Sequence, residues 1–356
     1  MEEKKKSRAL RIILIIAAVL LAGAGGAFYY VNSVLNRIER IDKEAEVQIP
    51  SEFVKFLNAT NDEIEDSDKY TEPVKFDVAA NGEIQKVSNE PDLNNRNIKL
   101  VKDSSVTNIL LIGSDSRTSS MRGRSDTIII LSINRKTNKI NMVSVLRDTY
   151  VEIPGYQNNK INAAYADGGT SLLDKTIEKN IGVHIDYNVC INFDGFLKAF
   201  AKIGNLDIPL TKAEADYLSK TVSWGEWKLK EGTNNLTPEQ VLAYARTRYV
   251  GNADWGRTAR QQLVLKKAFE KCRKGGLSSM ISMANSIAPY VATDMSNSQM
   301  ISLVTEVMNS GMGISSTLSV PGSGMYRSMY IKGMSALVPD LAKISKAVHQ
   351  ALYGVD

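Results

Sequence analysis

Arginine and aspartate are concentrated in three short stretches of this 356-residue chain. YARTRYVGNADWGRTARQQ, residues 244–262, holds Arg246, Arg248, Arg257 and Arg260 with a single acid, Asp254, and no lysine. SDSRTSSMRGRSDT, residues 114–127, holds Asp115, Arg117, Arg122, Arg124 and Asp126, and LRDT supplies Arg147 and Asp148. Guanidinium groups are planar and always charged, and their paired donors match phosphate oxygens. Aspartates among them are hard oxygen ligands. The pattern therefore suggests phosphate chemistry, with magnesium (or manganese) held by Asp115 and Asp126 and the guanidiniums neutralising the phosphates it bridges. The simpler reading of each aspartate is a partner for its neighbouring arginine, and of each arginine alone a solvated surface charge.

The surrounding elements give these residues a common place. TNILLIG and DTIIILSIN have the composition of buried strands, and the loop holding Asp115 to Asp126 joins one to the next. NRKTNK interrupts the apolar pattern before KINMVSVLRD resumes it, so a hairpin is predicted over 127–147 with Arg147 and Asp148 at its end. In layered α/β folds ligands bind where strands end. Thr237-Pro-Glu-Gln240 is a capping box with proline at the first helical position, which predicts a helix from 238 through VLAYARTRY, ended by Gly251 and Asn252. Asp254 can cap a second helix, WGRTARQQLVLKKAFEKCRK, closed by Gly275 and Gly276. On it Arg257, Arg260 or Gln261, and Val264 share one face. Arginines crowded at a helix start repel one another and the dipole unless an anion or carboxylate sits among them. Arg246 and Arg248 cannot both face the same way mid-helix, so one is solvated or the helix ends there.

Helix and strand alternate through the rest: TSLLDKTIEKNIG and DGFLKAFAKIG as helices around the strand YNVCINF, then a helix near 278–289, a strand near TLSVPG and a final helix PDLAKISKAVHQALYG. The fold class read from this mixing is α/β, an α-β-α layering with a central sheet flanked by helices. Gly168 and Gly169 are read as a turn before a helix rather than a phosphate cradle. His184 and His349 are read as structural. Cys190, in VCINF, reads as a buried strand residue, and a disulfide to Cys272 is open but not demanded by spacing.

The amino terminus bears on compartment. MEEKKKSRALR places five basic residues ahead of residues 12–31, an uncharged apolar run of 20. A helix of that length rises about 30 Å, enough to cross a bilayer core. The basic flank predicts a cytoplasmic N-terminus and an extracytoplasmic remainder. Ala22-Gly23-Ala24 suits a signal-peptidase site, so cleavage is the alternative; the length of the run and Phe28, Tyr29 and Tyr30 favour a retained single-pass anchor. Val34, Ile38, Ile41 and Ala45 are spaced to continue it as a helical stalk up to Pro50, and residues 58–104 read as an acidic, weakly structured accessory segment. The expected organisation is a basic tail (1–11), an anchor (12–31), a stalk and accessory segment (32–104) and a catalytic domain with a C-terminal extension (105–356). The formal charge of +5 divides into about +3, −6 and +8 over residues 1–31, 32–100 and 101–356. The basic region thus falls outside the cytoplasm and carries no recognition-helix motif, which excludes nucleic acid as a partner.

Taken in order, NILLIGSDSR, GRSDTIIILSIN, INMVSVLRDT, KINAAYADGG, INFDGF, VLAYARTRY and DWGRTARQQ resemble the motifs of the LytR-CpsA-Psr phosphotransferases of bacterial cell envelopes, over roughly residues 105–275. LRDT stands where that family usually has PRD. The resemblance implies a sheet flanked by helices with an apolar tunnel for a polyprenyl chain. It also implies transfer of a glycopolymer, such as wall teichoic acid or capsule, from a polyprenyl-pyrophosphate carrier to a peptidoglycan sugar hydroxyl at the outer face of a cell membrane, Gram-positive in the usual case. Carried over by position, Asp115 and Asp126 match the magnesium aspartates. Arg117, Arg124, Arg147, Arg246 and Arg257 match arginines around the pyrophosphate, with Arg248, Arg260 and Gln261 as supports. Such transfer needs positioning and charge neutralisation more than a protein nucleophile. Asp148 and Asp254 are the candidate bases for the incoming hydroxyl. A lipid-pyrophosphate hydrolase and a non-catalytic, anionic-polymer-binding envelope protein or regulator are the alternatives.

Overall fold

In the computed structural model the described residues are 32–33, 35–41, 91, 93, 98–114, 123–223, 226–251, 253–276 and 287–354. The apolar run 12–31, most of the segment up to residue 97, and Asp115, Arg117 and Arg122 lie outside them. Among the described residues no helix is long and apolar enough to cross a membrane.

A seven-stranded mixed sheet organises the molecule. Its strands are β1 (Glu39–Arg40), β2 (Val106–Ser114), β3 (Ser125–Asn134), β4 (Lys139–Val145), β7 (Tyr187–Asn192), β10 (Val291–Thr293) and β11 (Ile314–Val320), in the order β1-β10-β7-β2-β3-β4-β11. The predicted hairpin is β3–β4, closed by a four-residue loop whose last residue, Asn138, takes φ 54°, a left-handed angle asparagine tolerates. β2 and β7 run parallel and β2 and β3 antiparallel, so Ser114, Asn192 and Ser125 meet at one edge. β4 and β11 run parallel and bring Val145 and Val320 to that same edge. The ends of five strands therefore converge there, as strand-end loops of charged residues require.

The sheet is covered on both faces. Helices α1 (Ile161–Ile181) and α7 (Leu341–Tyr353) pack Leu173, Ile177, Ile344 and Val348 onto Leu110, Ile112, Ile128 and Ile130. On the opposite face Ile109, Ile133 and Ile140 meet Phe269 of α5 (Ala253–Lys274) and Leu303 and Val307 of α6 (Asn297–Ser310). Successive strand residues point to opposite faces, so one run of isoleucines serves both layers. A second core lies beside α5, where α2 (Phe193–Ile203), α4 (Pro238–Arg246) and the antiparallel pair β8 (Leu206–Leu210) and β9 (Gly232–Leu236) enclose Phe200, Ile208, Leu236 and Val241. The short helix α3 (Lys212–Asp216) continues into a π-helical turn, Tyr217–Val222.

Several expectations meet their outcome here. α4 begins at the Thr237–Gln240 capping box but ends at Arg246 rather than at Gly251, because Thr247 turns to extended backbone. Gly168 and Gly169 break α1: Gly169 sits at φ 65°, ψ −154°, which a side chain disfavours, and a helical turn precedes it as well as follows it. The stalk helix gives way at Glu39–Arg40, which forms an edge strand on β10 with Leu35 packed against Met295 and Met300. Of the helix expected over 278–289, residues 277–286 lie outside the described residues, and Ala288–Tyr290 is a single 3₁₀ turn. Cys190 is buried in β7 as expected, and no disulfide joins it to Cys272. His184 Nδ1 contacts Glu178 at 2.6 Å and His349 Nε2 donates to the Gly182 carbonyl at 2.9 Å, both structural bonds.

Candidate functional site: an arginine and carboxylate cluster at the strand ends

Four elements deliver charges to the convergent edge. Asp126 opens β3; Arg147 and Asp148 follow β4; Lys160 ends the two-residue strand β6 (Asn159–Lys160), paired with β5 (Tyr150–Val151); Asp254 and Arg257 lie in the first turn of α5. Arg147 Nη1 donates to Asp126, and Arg147 Nε lies 3.6 Å from Asp148. Lys160 Nζ sits 3.2 Å from the other oxygen of Asp148. Arg257 Nη2 is 3.1 Å and Arg248 Nε 3.6 Å from Asp254 Oδ1. Sequence reasoning did not single out Lys160, whose only signal was its place as the first residue of the motif KINAAYADGG.

Burial sets the electrostatics. It would raise the Asp148 carboxyl, but Lys160, Arg147 and Arg257 together outweigh it and hold the group below the ordinary carboxylate value. Burial also opposes the Arg147 charge, yet Asp148, Asp126 and Asp254 overcome this and raise it. Arg257 goes the other way. Only 5% exposed, it is pushed down to about 10 by burial and by the charges of Arg248 and Arg147, which Asp254 and Asp126 do not offset. A guanidinium whose charge is under-compensated at this depth has the chemistry to pair with an anion. Arg257 Nε, Asp254 Oδ1 and Gln261 Oε1 are all buried without a hydrogen bond.

The other sequence-predicted residues part company. Arg260, equally buried, donates from Nε to Glu214 at 2.8 Å, from Nη1 to the Thr247 carbonyl at 2.9 Å, and from Nη2 to the Val250 carbonyl. Glu214 also closes the α3 capping box, its other oxygen accepting from Thr211 N at 2.9 Å. Gly256 gives the Arg260 guanidinium room, since a Cβ there would lie 3.2 Å from Nη1. Arg246 is exposed on the last turn of α4 and lines a separate groove with Tyr217, Leu242 and Ala243. Gln262 makes the sheet contact, its Nε2 donating at 2.8 Å to both Ser144 Oγ and the Leu318 carbonyl, which fixes α5 over β4 and β11. Arg124 faces Asp167, the last residue before the α1 break, whose carboxyl burial pushes up to about 6 against the pull of that arginine. Asp167 was not singled out by sequence. For a divalent cation the donors are of the right chemistry, but no group of three acidic, histidine or cysteine side chains converges among the described residues, and Asp115 lies outside them.

Fold and site together define a layered α/β protein whose strand-end edge gathers arginines and carboxylates. The chain belongs to the LytR_cpsA_psr family, which matches residues 54–351. It is similar to the regulatory protein MsrR of Staphylococcus aureus (strain COL), 37% identical over 166 residues, and there it spans about half the relative's length, 49%, and 47% of this chain. It is also 30% identical over 262 residues to the polyisoprenyl-teichoic acid–peptidoglycan teichoic acid transferase TagU of Bacillus mycoides (strain KBAB4), covering 72% of this chain and 78% of TagU. The solved structure of the LytR-CPS2A-psr family protein YwtF (TagT) with bound octaprenyl pyrophosphate lipid superposes with a TM-score of 0.55 at 26% identity, over 71% of this chain and 92% of that one.

Proposed function

We propose that this chain is a membrane-anchored phosphotransferase that moves a glycan phosphate from a polyprenyl-pyrophosphate carrier to a sugar hydroxyl of peptidoglycan. The acceptor oxygen forms a bond to the glycan-side phosphorus, the bridging P–O bond breaks, and polyprenyl phosphate leaves. The observation that carries this reading is Arg257, a buried guanidinium with an unbonded Nε, set beside Arg147 where five strand ends meet. The names of TagU and of the lipid-bound TagT structure support the substrate class.

In this reading Arg147 and Arg257 grip the pyrophosphate, with Arg117 and Arg124 completing the cradle from the β2–β3 loop and Arg248 orienting Asp254. Stabilising charge on the transferring phosphoryl group is the main catalytic demand of such a reaction. Arg246 reaches the substrate farther out, in its own groove, while Arg260 and Gln261 act by supporting the α5 turn. Asp126 and Asp115 are the residues that would hold a magnesium or manganese ion, which when bound would supply neutralisation of the pyrophosphate charge. The two candidate bases are both ion-paired, Asp148 with Lys160 and Arg147 and Asp254 with Arg257 and Arg248, and either stands where it could take the proton of the incoming hydroxyl. Residues 12–31 would hold this domain at the outer face of a bacterial, Gram-positive-type membrane, in reach of lipid carrier and wall.

The test is product analysis. The full chain in detergent, given a polyprenyl-pyrophosphate-linked glycan, uncrosslinked peptidoglycan and magnesium, is expected to yield peptidoglycan bearing the glycan phosphate together with polyprenyl phosphate, by mass spectrometry, with Asp126→Ala silent. Release of free glycan phosphate alone would make the chain a hydrolase, and lipid binding without turnover would make it a binding protein.

A further inference from the structure

Two grooves open on the surface of the described residues. One, of about 350 Å³, flanks α4 and is walled by Tyr217, Val222, Leu242 and Ala243 around Arg246 and Glu239. The other, of about 500 Å³, lies between the hairpin β12 (Tyr326–Ile331)–β13 (Met334–Pro339) and the start of α7, walled by Tyr326, Arg327, Val338, Pro339, Asp340 and Lys343. Trp255, next to Asp254, joins this second groove to the site. Its ring stacks on Tyr326 with centroids 5.1 Å apart, and its Nε1 donates to the Pro321 carbonyl at 2.7 Å. From the other side Leu337 N donates to the Asp148 carbonyl at 2.9 Å. The hairpin that walls the groove is thus linked to the backbone of Asp148 through Leu337 and to Asp254 through its neighbour Trp255.

The end of α4 and the β12–β13 hairpin contact α5 on different faces. Arg260 faces α4 through the Thr247 and Val250 carbonyls, whereas Trp255 and Gln262, seven residues apart and so on one helical face, both reach β11 or the turn after it. Displacement at phosphorus places the attacking and leaving oxygens roughly in line, on opposite sides. The α4 groove sets Arg246 and the carboxylate Glu239 together beside apolar wall, so it carries no surplus positive charge.

From this geometry, and resting on the transferase reading above, we infer that the groove between the β12–β13 hairpin and α7 is the subsite for the acceptor glycan strand. The Tyr326 ring provides an aromatic wall for a sugar face. Lys343 is held by Asp340 at 3.0 Å and by the Gly324 carbonyl at 3.3 Å, so their charges cancel locally. Arg327 is exposed, has no ion-pair partner among the described residues, and leaves the groove with a surplus positive charge. A strand whose sugars and peptides carry carboxylates meets that charge; a neutral lipid tail does not.

The experiment measures binding apart from transfer, using the full chain in detergent, soluble uncrosslinked peptidoglycan strands and no lipid carrier. Arg327→Glu is expected to weaken strand binding roughly tenfold, as an exposed ion pair becomes a like-charge contact, while affinity for the lipid-linked donor stays unchanged. In the transfer assay the rise is confined to the acceptor KM, and Arg327→Lys restores it. Unchanged strand affinity in Arg327→Glu, absence of strand binding by the unaltered chain, or a loss of donor affinity instead would each overturn the assignment. Strand binding that depends on Arg327 in a chain that transfers nothing would uphold the groove and refute the transferase reading, so the two fail separately.

Discussion

Arg257 and Arg260 lie three residues apart on α5, and each is 5% exposed. Their surroundings are opposite. Arg260 is saturated: a carboxylate takes its Nε and two backbone carbonyls take its terminal nitrogens. Arg257 shares one carboxylate with Arg248, leaves Nε without a hydrogen bond, and sits near the further cation of Arg147. Depth and residue type alone do not separate an arginine that holds the fold from one that awaits a ligand. Partner satisfaction does, because an unpaired buried donor costs free energy that a bound anion would return.

The largest expected effect follows from this contrast. Arg257→Ala should lower transfer by about 10³-fold, the scale on which a guanidinium stabilises a transferring phosphoryl group, with little change in melting temperature. Arg260→Ala should do the reverse. Removing one partner of a buried pair costs about 3 kcal/mol, so chemical denaturation should show that loss while turnover per folded molecule persists. Glu214→Gln should reproduce part of it through the same contact.

A smaller effect is expected at Asp167, where a carboxylate is buried with too little compensation. A folded-state value raised to about 6 means ionisation is harder in the folded protein than in the unfolded chain. The stability this group confers is therefore full below the unfolded value near 4 and is lost as pH rises through 6. Asp167→Asn should be more stable than the parent by about 1 kcal/mol at pH 7, allowing for partial solvation, and equal to it below pH 4. Denaturation midpoints across that range test the sign; a gain largest in acid would refute it. Smallest is the contrast between the thiols. Burial pushes Cys190 up to about 12 and also raises the half-buried Cys272, so neither alkylates quickly, but Cys272 should react in the native protein and Cys190 only on unfolding.

How much of this was legible in the sequence depended on how local each signal was. Asp126, Arg147, Asp148, Asp254 and Arg257 announced themselves because each stands at a strand end or helix start recognisable within a few residues. The fate of Arg260 was not legible, since Glu214 lies 46 residues away and serves at the same time in a capping box. Lys160 and Asp167 were hidden in a motif whose glycines drew attention instead. The β12–β13 hairpin turns on Lys332-Gly333, both at positive φ (50° and 84°). Lysine is a weak signal at a position where asparagine marks such turns, so the element that walls the second groove went unread.

The most direct measurement is the dissociation constant of a polyprenyl pyrophosphate for the full chain in detergent, taken for the parent, Arg257→Ala and Arg260→Ala at a temperature where all three are folded. Affinity should collapse in Arg257→Ala and stay near the parent value in Arg260→Ala. Equal losses in both, or none in Arg257→Ala, would contradict a pyrophosphate site built on the unsatisfied arginine at the strand ends.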